Sequence, residues 1–137
     1  MTYILKLPSA PSFEGKGLKG FQFAPLTHPD IDIHFVDVDK GHDTFMISKK
    51  ITRIYYILEG EGYFTIDNHK YDVRPSMLIE VPPNVEYSYS GKMKLLLIGN
   101  PRWFKGNEEV TKKNPDVFGG TSIRRFLSKF WKKRLRT

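Results

Sequence analysis

The sequence predicts an all-β protein, an antiparallel sandwich or barrel. Three observations carry this expectation. Short runs with period-two alternation recur at regular intervals from residue 31 to residue 98. Clusters of Gly, Pro, Asn and Asp, which favour turns and end strands, separate them. No helical periodicity precedes residue 120. The 137 residues suit a single domain with its own core.

Taken in order, residues 3–5 read as a short edge strand. An irregular arm with Pro8, Pro11, Gly15, Gly17 and Gly20 follows. Phe21, Gln22 and Phe23 alternate as a strand would. After the turn at residues 27–30, residues 31–38 form a half-buried strand with Ile31, Ile33 and Phe35 toward the core. Asp39 to His42 turn the chain into one long strand, residues 44–58. Gly60-Glu61-Gly62 reads as the tight turn of a hairpin whose second strand is residues 63–66. Asp67 and Asn68 suit the positive φ of a further turn. Strands then follow at residues 71–73, 77–81, 86–90 and 92–98. The breaks between them are Arg74-Pro75-Ser76, Pro82-Pro83-Asn84 and Ser90-Gly91.

From Asn100 two Asn-Pro pairs and several glycines predict a loop laid on the body, with Trp103, Phe104 and Phe118 as anchors. Glu108-Glu109-Val110 reads as a single helical turn and Gly119-Gly120 as a hinge. Thr121 or Ser122 can cap a helix over residues 123–136. Ile123, Phe126, Leu127, Phe130, Trp131 and Leu135 share one of its faces, and Lys and Arg fill the other.

Charge divides the chain. Seven of the 22 Lys and Arg lie at residues 121–137 with no acid among them, so residues 1–120 hold fifteen basic residues against all 15 acids. The body is neutral and the excess of +7 belongs to the tail. Three roles are open to it: an anionic membrane surface, a partner, or packing on its own barrel. Nucleic acid is disfavoured, because a basic reader usually spreads charge over the body as well. With no cysteine, disulfides and thiolate chemistry are excluded. No signal-peptide pattern opens the chain and no run is long enough to span a membrane, so the expected location is the cytoplasm, with peripheral membrane contact through the tail.

Two stretches resemble the paired motifs of the cupin superfamily. In the first, Gly41 and Gly60 keep the spacing of the two motif glycines. Ile47 and Lys49 stand at its two histidine positions and Arg53 at its glutamate position. In the second, Ser76, Pro82, Asn84, Tyr87 and Gly91 occupy the motif places, with only the proline kept. The resemblance covers roughly residues 30–100. It implies a double-stranded β-helix, or jelly-roll barrel, over residues 1–120 with an N-terminal arm and a C-terminal extension. The tail, residues 121–137, is a separate helical segment. All four metal-ligand positions are changed, so no metal site and no cofactor are expected: Ile cannot ligate, and Lys49 and Arg53 would place cations where the metal should sit.

Period-two geometry puts Ile47, Lys49, Ile51, Arg53, Tyr55 and Ile57 on one face, which the resemblance turns toward the barrel lumen. Lys49 and Arg53 then either grip an anionic group, walled by Tyr55, Tyr87 and Tyr89, or pair with Glu80, Glu86 or another acid. The expected function is a metal-free binding protein for an anionic or sugar-like ligand. A metal-independent isomerase or epimerase of nucleotide-linked sugars is the alternative, with Tyr87 as acid–base group and Lys49 lowering its pKa. A third reading makes the barrel a scaffold whose tail carries the role. His28, His34, His42 and His69 lie near turns and strand ends and read as surface residues. No nucleophile triad, phosphate loop or dinucleotide fingerprint is present. Outward Ile54, Tyr56 and Leu58 suit a homodimer.

Overall fold

A computed structural model describes residues 3–118. Nine strands form one curled antiparallel sheet: β1 (Phe13–Glu14), β2 (Leu18–Gln22), β3 (Asp32–Val38), β4 (Thr44–Ser48), β5 (Thr52–Ile66), β6 (His69–Val73), β7 (Leu78–Val81), β8 (Glu86–Asn100) and β9 (Glu108–Lys113). A short helix, α1 (Pro115–Phe118), follows. The predicted helical tail and the Gly119-Gly120 hinge lie outside the described residues. No helix among the described residues is long and apolar enough to cross a membrane.

The sheet is built on β5 and β8, which pair from Thr52↔Asn100 to Ile66↔Tyr87. On its other edge β8 pairs β3 through Met93–Gly99 and β4 through Glu86 and Tyr87. That double partnership curls the sheet around an interior. Gly62 of β5 faces Gly91 of β8. Gly91 has φ +140, and a Cβ there would lie 2.5 Å from the Gly62 Cα, so only glycine fits the crossing. Ile57, Phe64, Val36, Val81 and Leu95 fill the core without exposure. Each such side chain contributes about 1.5–3 kcal/mol by leaving water.

Several sequence expectations are corrected. Residues 3–5 form no strand. Gly60-Glu61-Gly62 is not a turn: β5 runs through it, with a bulge between Ile57 and Glu59, and the hairpin reverses at Asp67-Asn68, both at positive φ. Ser90-Gly91 likewise does not end a strand, because β8 is continuous across it. Glu108-Glu109-Val110 is strand rather than helix, since pairing with β4 supplies its backbone partners.

The expected 44–58 strand is two strands. Lys49 and Lys50 form an exposed break held by Asn107, whose carbonyl accepts the Lys49 N–H at 2.9 Å and whose Oδ1 accepts the Lys50 N–H at 2.9 Å. The break shifts the phase: Met46 and Ser48 face inward before it, Ile51, Arg53, Tyr55 and Ile57 after it. Lys49 therefore does not face the lumen.

The inward face of β3 is also the opposite of the one expected. Asp32, His34, Val36 and Val38 are buried, while Ile31, Ile33 and Phe35 are only half-buried. Val36 pairs Leu95 and Val38 pairs Met93, all buried. The alternative phase would bring the Asp37↔Lys94 pair inside, which an apolar core opposes.

Candidate functional site in the barrel lumen

The curled sheet encloses a cavity of about 650 Å³. Arg53 and Tyr55 reach it from β5, Tyr87, Tyr89 and Leu97 from β8, Asp32 and His34 from β3, and Met46 from β4. His42 enters from the loop before β4, Glu108 from the start of β9, and Trp103 from the segment after β8. Phe13 of β1 covers one side, its ring edge-on to His34 at 5.4 Å.

Three tyrosines form the inner wall. Tyr55, Tyr87 and Tyr89 are almost fully buried; Tyr55 packs edge-to-face on Tyr87, Tyr89 and Phe64, and Phe64 on Tyr89. The Tyr55 and Tyr87 hydroxyls share a hydrogen bond of 2.7 Å. Burial pushes all three phenols above their ordinary pKa. They are neutral donors and acceptors, and Tyr87 has no Lys49 beside it to make it a base.

Arg53 faces the lumen as its strand position requires, but its charge is matched. Its guanidinium donates to Glu108 Oε2 at 2.5 Å. Asn107 Nδ2 donates to the same oxygen at 2.8 Å, and Trp103 Nε1 donates to Oε1 at 2.8 Å. Burial by itself raises the Glu108 carboxyl; the Asn107 and Trp103 hydrogen bonds and the Arg53 charge outweigh it, and the carboxyl sits below its usual range. The acid that partners Arg53 is Glu108, not Glu80 or Glu86.

Two histidines expected at the surface line the cavity instead. His42 is fixed by its own loop: its Nδ1 lies 2.9 Å from the Thr44 carbonyl, and Asn114 Nδ2 donates to the His42 carbonyl at 3.0 Å. Nδ1 also lies 3.3 Å from the Thr44 N–H; we assign its proton to the nearer Thr44 carbonyl, which leaves Nε2 with its lone pair. Burial lowers the His42 pKa, opposed by the Thr44 hydrogen bond and by Asp43. His34 is lowered by burial too, with Asp32 opposing. Both rings are neutral at pH 7. His28 and His69 are exposed, as expected. The sequence signals that could have found the lumen histidines are the 32/34/36/38 phase of β3 and the position of His42 beside a motif glycine.

The residues at the motif's metal-ligand positions are scattered. Ile47 is half-buried on β4, Lys49 is exposed, and Arg53 and Tyr87 are in the lumen. This set offers a divalent cation no ligand sphere. Among the described residues no three His, Asp or Glu side chains gather closely enough to hold a metal.

Comparison with known proteins agrees with the geometry. The model of the AraC-like ligand binding domain matches residues 42–91. The uncharacterized protein MJ1618 of Methanocaldococcus jannaschii is 33% identical over 61 residues, which is 42% of this chain and 49% of that protein. The match thus spans about half the length of the curated relative. Among solved structures, the Streptomyces nucleoside dehydratase PAC13 superposes with a TM-score of 0.75 at 22% identity, covering 82% of this chain and 93% of that one. Variants of PAC13 with a tyrosine, a second tyrosine or a histidine substituted have been solved with uridine. The Schizosaccharomyces pombe Cnp3 cupin domain gives a TM-score of 0.55 at 20% identity, covering 61% and 64% of the two chains. The fold is that of the cupins, an antiparallel β-barrel.

Proposed function

We propose, with the cupin-type barrel as premise, that this chain binds a nucleoside-like molecule in its lumen and moves a proton at the sugar, with His42 as the base. The observation that carries this reading is the state of His42. Its ring is neutral, its Nδ1 is committed to Thr44, and it lines a cavity of about 650 Å³, a size typical of small-molecule sites. A neutral imidazole with a free Nε2 is a competent general base.

The other lumen groups fit the same chemistry. Tyr55 and Tyr87 remain protonated and can donate to a departing or developing oxyanion. Arg53 is matched by Glu108, which favours a neutral polyol over an anionic ligand. The tyrosine wall and Trp103 offer aromatic surfaces for a base. The similarity to PAC13 supports the class of ligand. The residues substituted in its uridine complexes carry the numbers 55, 89 and 42, and this lumen holds Tyr55, Tyr89 and His42.

A base of this kind takes a proton from a sugar carbon beside a carbonyl. Return of the proton gives exchange or epimerisation. Departure of a neighbouring hydroxyl, protonated as it leaves, gives loss of water. The test is proton NMR in deuterium oxide with uridine derivatives carrying a carbonyl on the sugar. Wild type should exchange or eliminate, and His42→Gln should do neither at a comparable rate. Equal rates in both proteins would remove His42 from the role. No binding and no turnover by wild type would overturn the reading.

A further inference from the structure

Asp32 and His34 are the buried polar pair that the chemistry above does not use. They lie two residues apart on β3, so they share the lumen face. Asp32 is 3% exposed and His34 is 7% exposed. The Asp32 carboxylate is half satisfied: Oδ2 accepts the Trp103 backbone N–H at 2.8 Å, and Oδ1 has no partner. His34 Nδ1 has none either. Among the described residues these are the only buried side-chain nitrogen or oxygen atoms left so. Leaving a buried polar group without a partner is costly, and such a group in a native structure points to a strained or catalytic role or to a bound water, ion or ligand.

The surroundings hold both groups in place. Arg102, next to Trp103, donates from Nε to the Ile31 carbonyl at 2.8 Å and from its terminal nitrogen to Leu26 at 2.9 Å, tying the exit segment to the entry of β3. Gly99 is the register partner of Asp32, and a Cβ there would stand 2.6 Å from Oδ1. The Phe13 ring covers His34. The carboxylate oxygen is thus an acceptor in a fixed position, beside a ring nitrogen that donates or accepts according to its tautomer.

We propose that Asp32 and His34 form a diol-recognising subsite of the lumen, Asp32 Oδ1 accepting from one hydroxyl of the sugar and His34 Nδ1 bonding its neighbour. This rests on the lumen being the ligand site. Alternate residues of a strand are about 7 Å apart, a gap that two adjacent hydroxyls with hydrogen bonds of about 2.8 Å can bridge. The chemical class selected is a ribose-type cis-diol over its deoxy counterparts. His34 is neutral at pH 7 because burial lowers its pKa, so it bonds a hydroxyl without adding a cation to the lumen.

Calorimetric titration of wild type, Asp32→Asn and His34→Phe with uridine, 2′-deoxyuridine, 3′-deoxyuridine and methyl β-ribofuranoside tests this. Hydrogen bonds to a charged group are the strong ones, so wild type should bind at least one deoxy analogue roughly ten- to hundred-fold more weakly than uridine. Asp32→Asn keeps an oxygen for the Trp103 N–H and should lose that discrimination. Gly99→Ala, which crowds Oδ1 without removing its charge, should lose it too, and it keeps the proposal testable if Asp32→Asn fails to fold. Equal discrimination in wild type and all three variants, or none in wild type, overturns the subsite. If uridine does not bind but the methyl riboside does, with dependence on Asp32, the subsite stands and the nucleoside reading falls. If wild type binds neither, both fall.

Discussion

Glu108→Gln probes the group that matches the Arg53 charge in the lumen. The Glu108 carboxylate receives three donors: Arg53 at 2.5 Å, Asn107 at 2.8 Å and Trp103 at 2.8 Å. The amide retains one acceptor oxygen and turns an NH₂ toward one of them. Arg53 is 8% exposed, so its charge is left in a low-dielectric site without a counter-ion. Removing one partner of a buried pair costs about 3–5 kcal/mol. Glu108 keeps 22% of its side chain in solvent, which places the expected loss near the lower end, about 3 kcal/mol. For a domain of this size that lowers the melting temperature by roughly 10 °C.

The sign of the pH dependence follows from the depressed Glu108 pKa. The folded value lies below the unfolded one, so the carboxylate contributes stability that is present above the ordinary carboxylate pKa of about 4.3 and is lost as pH falls through the folded value. Thermal and urea unfolding of wild type and Glu108→Gln from pH 7 to pH 3 measures both effects. The variant should be less stable at pH 7, and the gap should close in acid. A variant within about 1 °C of wild type at pH 7, or a gap that persists unchanged to pH 3, would refute the ion-pair account.

Three further perturbations test other parts of the site. Gly20→Ala would place a Cβ 2.0 Å from the Phe13 ring; it should lift Phe13 away, expose His34 and raise the His34 pKa toward its ordinary value, read by NMR titration of the imidazole. Because burial holds the His42 pKa below its ordinary value, turnover should be full at pH 7 and fall in acid as the ring protonates; a rate that rises on acidification contradicts a neutral base. Tyr55→Phe strands the buried Tyr87 hydroxyl and should cost about 1–3 kcal/mol, with Tyr55→Phe/Tyr87→Phe costing less than the sum of the two single changes in urea unfolding.

The barrel was legible because its signals are local and agree. Alternation placed most strands, and Asp67-Asn68 and Pro82-Pro83-Asn84 marked breaks that the structure keeps. Where two phases were both apolar, local pattern could not decide. Residues 32–38 alternate acceptably on either face, and only the cost of burying Asp37 and Lys94 selects the inward phase that carries Asp32 and His34. Gly60-Glu61-Gly62 has turn composition, yet its glycines sit within a continuous pair, where a Cβ would meet the β8 backbone. The break at Lys49-Lys50 depends on Asn107, fifty-seven residues from Lys50, and no local reading contains that contact. The same distance effect hid Glu108, which joins the site only because β9 pairs with β4. Arg53, Tyr55, Tyr87 and Tyr89 were reached because each lies in a well-patterned strand.

A structure of the protein crystallised with uridine tests the central claim most directly. The expected result is density for base and sugar inside the barrel, the base against the tyrosine wall, with a sugar carbon within reach of His42 Nε2 and hydroxyls toward Asp32 and His34. Uridine bound outside the barrel, or a lumen filled only by water at saturating uridine, would contradict it.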